Sequence, residues 1–302
     1  MKYKLFSIGI GFIVLLSCCS GQKGEKKAKE FVIPDTLAAS NTAVLAEEVT
    51  SDIIDNLASP VEIAGLLDML GVPYSNAYLA SSSDINNMNT EIQQAYGLGI
   101  YGADLGYQAM YGQNTALLDY ISNIKRLADN LMIGQFFDYN TLKRLAGNKE
   151  NLDSLMFIAV HSFNEIDRYL RKSQRGEISA LVITGLWIEG IYLATQVQQS
   201  YPHEELKERI GEQKIVMEDL FVLLDRYKSN PEVKKITGQL DQLKQLFDQV
   251  EITIIPGEPE TVEKDGRLVV VQHEESKVSY SDELLQQIIQ QTVQLRERLL
   301  HQ

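Results

Sequence analysis

Ile178-Ser-Ala-Leu-Val-Ile-Thr-Gly-Leu-Trp-Ile-Glu-Gly-Ile-Tyr-Leu-Ala-Thr-Gln-Val197 decides the fold. The run is apolar nearly all round a helix, so in a globular domain it predicts a central helix surrounded by others. A membrane span is the competing reading. Glu189 interrupts the run at its middle and leaves only short uninterrupted apolar pieces, which argues for the packed helix. A carboxylate there needs a partner or a proton. Trp187 lies two positions before Glu189 and Tyr192 one turn after it. The segment offers tyrosine and threonine neighbours but no cation, so Glu189 is expected as a structural carboxyl meeting tyrosine hydroxyls. Lys125 and Arg126 are the cations considered as alternatives.

A second unusual stretch lies upstream, Tyr96-Gly-Leu-Gly-Ile-Tyr-Gly-Ala-Asp-Leu-Gly-Tyr107. Four glycines within ten helical positions cost about 1 kcal/mol each relative to alanine, so something must offset them. At 100° per residue Gly99, Gly102, Ala103, Gly106 and Ala109 share one face. That face predicts close approach of another helix. Tyr96, Asp104, Tyr107 and Tyr111 share the opposite side. Two readings of this strip stand open: hydroxyls and a carboxyl satisfying each other inside a bundle, or the polar aromatic wall of a ligand cleft. On the second reading the ligand-binding residues are Tyr96, Asp104, Tyr107, Tyr111, Trp187 and Glu189. A hydrolase built on Asp104 and Glu189 ranks below both, because two lone carboxyls on different helices are a weak catalytic signal.

Outward from these segments the chain reads as all-α. None of the seven prolines falls between residues 74 and 201. Helices are expected at about 36–57, 84–112, 115–132, 139–146, 150–174, 177–200, 203–229, 232–250 and 281–301. A short helix should start at Ser59-Pro60 and stop at Gly71. The expectation is a bundle of nine or ten helices with a small β-hairpin near 251–272. There β-branched runs flank Lys264-Asp265-Gly266-Arg267, an Asp-Gly turn signal. The helices from 203 onward, including the Leu284/Leu285/Ile288/Ile289/Val293/Leu295 stripe, read as amphipathic outer helices.

The N-terminus carries an address. Met1–Ser17 has two lysines and an apolar run, the pattern of an export signal. It ends in Leu15-Leu16-Ser17-Cys18, which resembles the lipobox of bacterial lipoproteins. The resemblance implies cleavage before Cys18 and acylation of that cysteine, whose chains would anchor the protein to a membrane. Residues 1–17 then form the signal, 18–34 the lipidated cysteine and a flexible tether, and 35–302 one helical domain. The tether is basic rather than acidic, which favours an outer-membrane anchor facing the periplasm over cell-surface display.

Of 302 residues, 28 are Lys or Arg and 41 Asp or Glu, a net charge of −13. Removing residues 1–17 takes two lysines and no acid, leaving 26 basic against 41 acidic residues and a net −15. Such a chain repels phosphate backbones, so no nucleic-acid partner is expected. The only cysteines, Cys18 and Cys19, are adjacent, and the four histidines are scattered. His161 is expected at the edge of the core. No HExxH, GxSxG or Walker loop occurs, and Gly97-x-Gly99-x-x-Gly102 lacks the preceding strand of a dinucleotide site. No metal, cofactor or catalytic residue is therefore assigned.

The segments at 99–107 and 179–196 look similar to a group of uncharacterised helical lipoproteins of Bacteroidetes-type bacteria. That resemblance implies location and fold class, and it transfers no active-site residues. The expected role is a lipid-anchored, non-enzymatic binding or scaffold component of the cell envelope. Its partners would be the membrane, through the acyl chains, and an envelope protein or a small ligand.

Overall fold

The computed structural model describes residues 67, 69–113, 117–146, 152–264 and 267–301. The signal, the lipidation site and the helices expected at 36–57 and from Ser59-Pro60 lie outside these residues, apart from the end of the latter. There Gly71 has φ +65° and the Val72 amide donates back to the Leu67 carbonyl, the expected glycine stop.

Eight α-helices follow. They are α1 (Glu91–Met110), α2 (Leu117–Asn130), α3 (Tyr139–Ala146), α4 (Leu152–Lys172), α5 (Gly176–Ser200), α6 (Glu204–Asp225), α7 (Pro231–Phe247) and α8 (Asp282–Leu300). A two-stranded sheet, β1 (Glu251–Lys264) and β2 (Arg267–Ser279), precedes α8. The chain divides into two compact units. Among the described residues one is the hairpin, Ile252–Val278. The other holds all eight helices. The hairpin runs seven residues beyond the expected 272, and its Asp265-Gly266 turn lies outside the described residues.

Caps set the helix bounds. The helix expected from 84 begins instead at Glu91. Thr90 accepts from the Gln93 amide, the Gln93 side chain accepts from the Thr90 amide, and this capping box fixes the start. Residues Asp84–Asn87 form only a 3₁₀ turn. Asn230 caps α7 with Pro231 at its first position, and Ser281 caps α8. The breaks near Gly134 and Gly176 are made by other residues. Met132 and Gln174, each at φ 58°, take the left-handed turn that ends α2 and α4.

Helix α5 is the centre of the helical unit, packed by α1, α4, α6 and α8, with by far its largest contact on α1. It is long and apolar enough to cross a membrane, yet nearly all of that stretch is buried inside the protein. The close approach to α1 passes through Gly99 and Gly185. A Cβ on Gly185 would fall on the Tyr96 carbonyl, and one on Gly99 would strike the backbone of Val182, Gly185 and Leu186. The expected glycine face is thereby corrected. Gly102 and Gly106 are half-buried, and an added Cβ there meets nothing within 4 Å. Gly97 serves the Met88 side chain instead. His161 is also corrected, since it is exposed on α4 rather than set at the core edge.

Candidate functional site

The two carboxyls that sequence singled out do come together, on facing turns of α1 and α5. Both Asp104 and Glu189 are 0% exposed. Glu189 has a cation after all. Arg296 of α8 forms a bidentate pair with it, Nε to Oε2 and Nη2 to Oε1, each at 2.8 Å. Arg296 is itself 4% exposed, and its guanidinium carbon lies 4.0 Å from the Tyr192 ring centroid. Burial alone would lower the Arg296 pKa, but the Glu189 carboxylate outweighs it and holds the group above its ordinary value. The expectation of a cation-free environment is overturned. Lys125 and Arg126 serve elsewhere, pairing with Asp129 and Asn86.

Arg296 had a readable signal. The buried stripe of α8 runs through Leu285, Ile288, Ile289, Thr292, Leu295 and Leu299, and Arg296 falls in phase with it. A cation on the apolar stripe of a helix needs a buried anion.

Asp104 takes a different partner. Its Oδ2 accepts from the Ala80 amide at 2.9 Å. Burial first, and then the neighbouring Glu189 charge, push its pKa well above the ordinary carboxyl range against the opposing pull of Arg296.

Ala80 belongs to an irregular strap, residues 72–90, which lies over α1, α2 and α8. Such a segment cannot satisfy its own backbone, so side chains do it. Tyr120 donates to the Ala80 carbonyl. The Tyr101 hydroxyl donates to the Ser81 carbonyl at 2.7 Å and accepts from the Ile85 amide at 3.1 Å. Asn123 donates to the Ser82 carbonyl, Arg296 Nη2 to the Tyr78 carbonyl, and the Tyr107 hydroxyl accepts from the Ser75 amide. Ala80, Ile85 and Met88 are the apolar anchors, each 5% exposed or less. Burial keeps these phenols neutral. It raises Tyr101 and Tyr120 beyond their ordinary range and Tyr107 to about 12.

The tyrosine strip is thus only partly one site. Tyr107 stacks on Tyr74 of the strap, and Tyr111 meets Tyr74 at a tilt and Tyr107 edge-on. Tyr96 is buried near Glu232 of α7, which with burial raises it to about 12. Trp187 points away from the carboxyls. Its Nε1 donates to Gln213 of α6 at 3.1 Å and its ring meets Phe247 of α7 edge-on. Tyr101, Tyr120 and Arg296, which were not singled out from sequence, complete the cluster with Tyr192, which was expected one turn from Glu189. Among the described residues no group of three His, Cys, Asp or Glu side chains could hold a metal ion. The arrangement fastens one segment of chain. Both oxygens of Glu189 are bonded to Arg296, and both carboxyls are fully buried.

No protein-family model matches the chain, and neither a curated protein nor a solved structure matches it significantly.

Proposed function

We propose that this protein is a lipid-anchored component of the bacterial cell envelope, non-enzymatic, with a binding or scaffold role. In this reading Cys18 carries the acyl chains, residues 19–34 form a tether, and the helical domain faces the periplasm from the outer membrane. The export-signal pattern ending in Leu15-Leu16-Ser17-Cys18 supports the anchor. One structural observation carries the preference for an envelope binding or scaffold role over small-ligand binding in a Tyr/Asp-lined cleft. The polar groups of that face, Asp104, Tyr101, Tyr107 and Tyr120, are bonded to the chain's own strap.

Labelling of cells with an alkyne-bearing fatty acid tests the anchor. Wild type and Cys19→Ala should incorporate the label and Cys18→Ala should not. Label retained by Cys18→Ala but lost in Cys19→Ala would move the cut and the lipid. Native mass spectrometry of the processed chain, released from the membrane in detergent, tests the role. The expected mass is the acylated chain alone, and a stoichiometric small-molecule adduct would favour the cleft.

A further inference from the structure

Two buried carboxyls lie near one guanidinium, and only Glu189 is bonded to it. Glu189 places both oxygens on Arg296. Asp104 has Oδ2 on the Ala80 amide, while its Oδ1 is buried with no donor facing it. The charged and titratable groups around Asp104 are Glu189 and Tyr192 of α5, Arg296 of α8, Tyr120 of α2, Tyr101 of its own helix and Tyr74 of the strap. Among the described residues only Arg296 is a cation there, and it is already paired. An ionised Asp104 would leave a bare buried oxygen beside a second carboxylate, unfavourable on both counts. A proton on Oδ1 removes both difficulties, because it turns the bare acceptor into a donor beside the Glu189 carboxylate.

We propose that the strap is a latch closed by one proton: Asp104 is the neutral member of the carboxyl pair, its Oδ1–H donates to Glu189, and its Oδ2 holds the Ala80 amide. The inference concerns residues 72–90 and stands apart from the reading of the anchor. Its sign follows from linkage. The closed strap keeps a proton that an opened, hydrated Asp104 would release above its ordinary value of about 4. The closed form is therefore favoured on the acid side, and opening increases as pH rises, up to tenfold per unit until the closed form also loses its proton. Opening bares the Tyr101, Tyr107 and Tyr120 hydroxyls and uncovers Arg296.

The test is amide hydrogen exchange at Ala80 and Ile85 in the full chain between pH 5 and 8, corrected for the intrinsic exchange rate. Wild type should lose protection with rising pH, approaching tenfold per unit. Asp104→Asn should give a flat profile and be at least as protected as wild type at pH 8. Its amide can donate to Glu189 and accept from Ala80 without a proton to lose. Tyr120→Phe should lower protection at every pH and keep the slope, since it weakens the strap without touching the proton. A flat wild-type profile, a slope that survives in Asp104→Asn, or a flat Tyr120→Phe profile would overturn the latch. So would an Asp104→Asn chain that fails to fold or is less protected than wild type at pH 8.

Discussion

Substituting alanine at Gly185 and at Gly102 should move stability in opposite directions, although both glycines sit inside long helices. At Gly102 an added Cβ meets nothing within 4 Å. The change should therefore express the intrinsic preference alone, a gain of about 0.5–1 kcal/mol from the reduced freedom of the unfolded chain and better helix propensity. Gly106 should behave alike. At Gly185 the same methyl falls on the Tyr96 carbonyl of α1, which is backbone and cannot rotate away. The two helices must separate along the largest contact in the fold. Overpacking of this kind typically costs ~1–3 kcal/mol, and a backbone clash belongs at the upper end. After subtracting the propensity gain, Gly185→Ala should still lose about 2 kcal/mol. Gly99→Ala should match it, because its methyl strikes the Val182–Leu186 backbone. The two classes should then differ by about 3 kcal/mol, which at ~2–4 °C per kcal/mol is a gap of roughly 6–12 °C in Tm. Thermal and urea melts of the four full-length variants at pH 7 measure it. Gly185→Ala melting within 2–3 °C, about 1 kcal/mol, of Gly102→Ala would refute the close helix contact.

Glu189→Gln and Arg296→Met should each cost about 3–5 kcal/mol in urea melts, because each strands a buried charge. The double variant Glu189→Leu with Arg296→Met should recover much of that loss, and strict additivity would count against a direct pair. Phe247→Ala should cost about 3–5 kcal/mol and shift the fluorescence of the sole tryptophan, Trp187, to longer wavelength as water reaches its ring. Tyr120→Phe should lose about 1–2 kcal/mol, since it leaves the buried Ala80 carbonyl without its side-chain donor.

The sequence was most informative where one physical rule acted alone. The 178–197 run has no polar face and carries Glu189 at its middle, which favoured a surrounded helix over a span, and α5 occupies that place. Helix starts at Asn230-Pro231 and Ser281 were legible because capping is local. The glycine-rich helix shows where periodicity stops helping. α1 is buried over most of its circumference, so the wheel groups its small residues without indicating which arc meets the partner helix. The choice of Gly99 over Gly102 is made by Gly185, some 80 residues away. Arg296 was hidden for a related reason. Its neighbours Glu297 and Arg298 make the end of α8 read as a solvated face, although Arg296 itself is in register with the buried leucines. The strap carried the weakest signal. Residues 81–90 are a Ser/Asn-rich, aperiodic stretch, yet the expected helix ran back across them to 84, where the chain makes only a 3₁₀ turn. Nothing local tells that its backbone is held by Asp104, Tyr101 and Tyr120 from two different helices.

The central claim is that the Tyr/Asp face is closed by the chain's own strap, and side-chain oxidation by hydroxyl radicals at pH 6, read by mass spectrometry, tests it most directly. Tyr101 is 0% exposed and Tyr120 4%, whereas Tyr201 is 45% exposed. A closed face predicts that Tyr101, Tyr107 and Tyr120 stay unmodified while Tyr201 and Tyr169 are oxidised. Oxidation of Tyr101 and Tyr120 at the rate of Tyr201 would contradict it, because those rings would then line an open cleft.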